Sequence, residues 1–129
     1  MNTTIGRSST LVPAAAQFDV WTAYDWRNGV LITELAPHDR VTVQTRNSLY
    51  EIIVTVPHTA EVMVRGGAFF PEFTPARVAG SSLGGSFLKL HGVYPGFQLE
   101  IVPDADGQPI VTTRIRTIVI SSPQAGKVM

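Results

Sequence analysis

From Arg40 to Val56, apolar and polar residues take turns along the chain. In Arg40-Val-Thr-Val-Gln-Thr-Arg46, Val41, Val43 and Thr45 share one face. In Leu49-Tyr-Glu-Ile-Ile-Val-Thr-Val56, Tyr50, Ile52, Val54 and Val56 do so. A period of two is the signature of a half-buried strand, and Asn47-Ser48 between the runs supplies a turn. The pattern therefore predicts a β-hairpin. Residues 60–66 predict a third alternating strand, ended by Gly66-Gly67, and residues 97–103 another, with Phe97, Leu99 and Ile101 on one side. Asp106-Gly107 signals a tight turn. Residues 109–120 then predict one long strand, or two bent at Thr113-Arg114.

The remaining segments are less regular. Residues 30–35 read as a strand before Pro37. Between 68 and 96, prolines and glycines break the pattern, and only residues 76–82 and 86–90 look strand-like. Residues 18–29 hold both tryptophans, Trp21 and Trp26, together with Tyr24, at spacing that suits a short helix or an irregular aromatic arm. Residues 1–17 and 121–129 read as tails flanking a single domain over 18–120. Seven to nine short strands with regular turns predict an all-β fold, a small antiparallel β-barrel. Closure removes exposed strand edges, and Gly80, Gly84 and Gly85 are suited to its tightly curved corners. The Gly-led run Gly96-Phe97-Gln98-Leu99-Glu100 and the closing run Ile110 to Ile115 resemble the small β-barrels used as second domains in translation factors. That resemblance implies a barrel and carries no residue roles.

Composition agrees with a compact fold. Hydrophobic residues make up 44% of the chain and charged residues 16%, over 129 residues. Ten basic residues balance ten acidic ones, so no global field favours nucleic acid or an anionic membrane. With no cysteine, disulfides and thiolate chemistry are excluded, which fits a cytoplasmic protein. No stretch approaches the ~20 apolar residues of a membrane span.

Candidate chemistry is sparse. Gly80-Ser-Ser-Leu-Gly84 fits the G-x-S-x-G pattern of a nucleophile elbow, but the elbow needs a helix next, and Gly-Ser-Phe-Leu-Lys is a poor helix start. A barrel corner is the better reading. The same stretch lacks the lysine of a phosphate loop, and the run from Asp104 to Gly107 lacks the closing glutamate of a calcium loop. His38, His58 and His91 have no metal-ligand spacing, so neither a metal nor a cofactor is expected.

The richest constellation is arginine with aromatic residues. Arg46, Arg65, Phe69, Phe70, Arg114 and Arg116 are the candidate ligand-binding residues, with Arg114 and Arg116 on one strand face. Arginine is suited to bidentate anion recognition. Trp21, Tyr24 and Trp26 are the candidate oligomer contacts, since paired tryptophans beside a tail need a covering surface. The leading expectation is a non-enzymatic binding or assembly module that forms a homo-oligomer. The alternative is a barrel that binds a small phosphorylated ligand or nucleic acid through these arginines, with nucleic acid disfavoured by the charge balance. A hydrolase using Ser82, or an acid–base site of His91 with Asp104 or Glu100, stands behind both.

Overall fold

In the computed structural model, the described residues are 14–83 and 86–123. Helix α1 spans Ala14–Ala23, and a 3-10 turn covers Trp26–Asn28. The strands are β1 (Val30–Leu31), β2 (Arg40–Thr45), β3 (Leu49–Val56), β4 (Glu61–Gly66), β5 (Phe70–Leu83), β6 (Ser86–Leu90), β7 (Gly92–Val93), β8 (Gln98–Pro103) and β9 (Ile110–Ser121). The large sheet runs β4-β3-β2-β9-β8-β5-β6, and β5 pairs back onto β4. Six strands thus close an antiparallel ring, the barrel-like form that the alternation predicts. Strands β1 and β7 form a separate short pair.

The hydrophobic effect sets the register. A one-residue slip would turn every inward side chain out to water. The hairpin β2–β3 pairs Val41 with Ile52 and Val43 with Tyr50, and β4 continues the row with Val64 opposite Ile52. These side chains fill the ring with Val54, Val62, Val78, Leu99, Ile101 and Ile115, all at most 2% exposed except Tyr50 at 5%.

Two strands serve both sides of the ring in turn. Strand β5 pairs with β4 through residues 70–77 and with β8 through 76–82. Strand β9 pairs with β8 through 110–114 and with β2 through 115–121. Such strands must bend, and the ladders slip between Val78 and Gly80, between Val111 and Arg114, and between Ile115 and Thr117. Bulges of this kind sharpen the local twist. At Gly80 the backbone takes φ +149°, which side chains rarely adopt, so this glycine serves the corner as the sequence suggests. Gly84 and Gly85 lie outside the described residues.

The structure differs from the sequence expectation in three places. Only Val30–Leu31 of the segment 30–35 is strand; Ile32 starts a 3-10 turn and is fully buried against the core. Its amide donates to the His91 carbonyl at 2.9 Å, so the segment plugs the ring instead of joining it. Strand β5 begins at Phe70, within the proline-rich stretch. Pro71 and Pro75 are tolerated because β5 has its β8 neighbour only from Ala76 onward, and a strand with one neighbour can spare an N–H. Helix α1 begins at Ala14, inside the stretch read as a tail. Three alanines favour that helical start. The rest of that stretch, and residues 124–129 of the other tail, lie outside the described residues. No helix among the described residues is long and apolar enough to cross a membrane.

Candidate binding surface

Among the described residues, the buried hydroxyls of Ser81, Ser82 and Thr112 are engaged, whereas Thr113 Oγ1 is buried without a partner. Ser81 Oγ donates to the Gly92 carbonyl (2.8 Å) and accepts from the Tyr94 amide (3.1 Å). Thr112 Oγ1 accepts from the Leu99 amide at 3.0 Å. Ser82 is fully buried near the end of a paired strand, opposite Gln98, and its hydroxyl donates to Glu100 Oε2 at 2.5 Å. A nucleophile elbow exposes its serine between strand and helix; here strand β5 continues to Leu83.

The six arginine and phenylalanine candidates divide among four places. Arg65 lies on the outer wall of β4, where Glu51 of β3 sits directly opposite. The Glu51 carboxylate accepts from Arg65 Nη2 at 2.5 Å and from Arg40 Nη1 at 3.1 Å. The Phe73 ring lies beneath the Arg65 guanidinium, 4.3 Å from centroid to Cζ. Arg46, Arg114 and Arg116 meet at the β2–β9 junction, where the Arg46 amide donates to the Arg114 carbonyl at 3.2 Å. Phe69 is exposed on the β4–β5 turn. Phe70 is 2% exposed, a core residue and not a surface one, paired opposite Gly66. Glu51 was missed as a partner of Arg65, because their link crosses strands.

The Arg65 guanidinium beside Glu51 holds its carboxyl below the usual carboxylate range, more than burial raises it. A depressed folded pKa adds stability above the unfolded value and loses it as pH falls through the folded one. The Glu51 carboxyl resonance is expected to titrate at lower pH in the native protein than in the Arg65→Ala variant. Identical midpoints would show that the pair does not persist in solution.

The aromatic arm folds back on its own barrel. Trp21 stacks parallel to Phe97 with centroids 6.0 Å apart; Tyr24 and Trp26 lie 4.7 and 5.4 Å from the same ring. Tyr24 Oη donates to the Pro95 carbonyl at 2.7 Å, and burial pushes its pKa up, with smaller contributions from Tyr94 and Asp25. The Lys89 ammonium caps the Trp26 ring at 4.8 Å. Trp21, Tyr24 and Trp26 thus have a covering surface within the chain, half-burying them without a partner.

An uncovered apolar surface lies on β9. Past Ile115 its register gives a neighbour, β2, on one side only among the described residues. Val119 faces outward opposite Thr42 and is 63% exposed. Ile120 sits opposite the fully buried Val41, yet 44% of it is exposed. The sequence hides this, because the slip after Ile115 shifts the alternation by one residue. No protein-family model, curated protein or solved structure matches this chain. The functional reading therefore rests on these surfaces alone.

Proposed function

We propose that this chain is a non-catalytic assembly module, a barrel that pairs with a second copy of itself along the free edge of β9. The observation that carries this reading is Ile120: a core-face residue stays exposed because nothing among the described residues flanks its strand on the side away from β2. An unpaired edge with exposed β-branched side chains is a template for another strand. An antiparallel edge is self-complementary under a two-fold axis, so a second copy fits it without a further surface. Centred on Val119, the pairing sets Ile118 opposite Ile120 and covers apolar surface on both faces. It also keeps the two Arg116 residues about 20 Å apart, six rises of roughly 3.4 Å, beyond the Debye length of about 8 Å.

Sedimentation equilibrium is expected to give twice the 14.0 kDa of one chain. Val119→Lys, which places a charge on the edge, is expected to return the protein to 14.0 kDa with its circular dichroism unchanged. A native protein that is monomeric at micromolar concentration, or a lysine variant that stays dimeric, overturns the reading.

A further inference from the structure

The β2–β9 junction assembles a cationic cluster that the fold does not neutralise. Ile115 pairs with Thr45, and the next step of the same register sets Arg114 opposite Arg46. Arg116 is the extra residue where the ladder slips before Thr117. Three guanidinium groups therefore emerge from neighbouring positions, and all three residues are exposed. Like charges placed directly opposite in a sheet are destabilising.

No carboxylate side chain offsets them. The ion pairs among the described residues are Arg27–Asp25, Arg40–Glu51 and Arg65–Glu51. Residues 1–13, 84–85 and 124–129 contain no Asp or Glu. The acid nearest by register is Glu100, two residues along β8 from Gln98, the partner of Arg114. Glu100 is instead engaged by the Ser82 hydroxyl. Arg114 is also pre-oriented: its Nη1 donates to the Gly96 carbonyl at 2.7 Å, which fixes one side of the guanidinium. Holding one guanidinium lowers the ordering cost of binding an oxyanion, which accepts several N–H bonds at once.

We infer that Arg46, Arg114 and Arg116 form a binding site for a small phosphate-bearing ligand. The site does not require the second copy, since all three arginines belong to one chain. A multiply charged tetrahedral oxyanion suits three guanidinium forks carried at neighbouring positions, whereas a nucleic-acid backbone needs a longer basic track than three residues on a neutral chain provide.

The test titrates pyrophosphate and inorganic phosphate into the full-length protein at constant ionic strength, set by sodium chloride, and follows amide and Arg Nε resonances. Saturable shifts are expected at Thr45 to Asn47 and Arg114 to Thr117. Arg46→Gln and Arg114→Gln are each expected to weaken pyrophosphate binding about tenfold, the loss of one charged hydrogen bond. Arg77→Gln, which removes an exposed arginine elsewhere, is expected to change nothing. Without ligand, Arg46→Gln is expected to unfold at a temperature no lower than the native protein, since it removes a repulsion. The Val119→Lys variant is expected to bind as the native protein does, which separates this result from the oligomeric state. Shifts that do not saturate, equal losses in Arg77→Gln, or binding of a single-stranded oligonucleotide in preference to pyrophosphate each overturn the inference.

Discussion

Phe97→Ala is expected to destabilise the protein by about 3–5 kcal/mol, the usual cost of emptying a fully buried aromatic site. Phe97 is 1% exposed, and three rings of the N-terminal arm pack around it. Its backbone also closes the ring beside β9: its carbonyl accepts from the Ile115 amide at 2.8 Å. Truncating the side chain leaves that bond intact but removes the floor on which Trp21, Tyr24 and Trp26 rest. Trp21 and Trp26 are the two tryptophans of the chain, so fluorescence reports on the arm alone. The variant is expected to show a red-shifted emission together with a lower urea midpoint. Phe69→Ala is the control. With 65% of Phe69 exposed, its loss is expected to change stability by no more than about 0.5 kcal/mol. If both variants unfold at the same urea concentration, the arm is not held against the barrel in solution.

That contrast marks where the sequence was legible. Alternation placed the hairpin β2–β3, strand β4 and strand β8 correctly, because each keeps one face inward along its length. It misplaced Phe70, since the run Phe69-Phe70 has no periodicity to say which ring turns in. It gave no sign that Ile32 would plug the ring, because a short apolar run reads alike as strand and as turn. The surface was harder still. Arg114 and Arg116 were singled out along the strand, but their meeting with Arg46 depends on cross-strand register. The exposure of Val119 and Ile120 depends on a one-residue slip and on a missing neighbour. Periodicity reports burial along one strand, whereas a surface is made by the strand beside it.

Gly80→Ala is expected to be nearly as damaging as the loss of Phe97, for a different reason. Gly80 lies where β5 passes from its β8 partnership at Val78 to the slipped register at Glu100, and β6 pairs with it from the other side. Its φ of +149° is a conformation in which a side chain costs roughly 1–3 kcal/mol. Strain is the smaller part. A Cβ at Gly80 would lie 2.2 Å from the Lys89 carbonyl oxygen and 2.9 Å from its carbon, both backbone atoms that cannot swing aside. Relief requires β6 to separate from β5, breaking the Gly80–Leu90 pairing and loosening Lys89 from Trp26. Gly107→Ala isolates the conformational share of this cost. Gly107 also has positive φ, +68°, but nothing lies within 4 Å of the added carbon. It is expected to cost about 1–2 kcal/mol, the penalty of a left-handed residue alone. Gly80→Ala is expected to exceed it by at least a further ~1 kcal/mol in urea unfolding, the scale of a one-methyl overpacking strain. It should also raise hydrogen exchange in β6, which Gly107→Ala should leave unchanged. Equal costs for the two alanines would mean that β5 does not turn its corner against β6 as described.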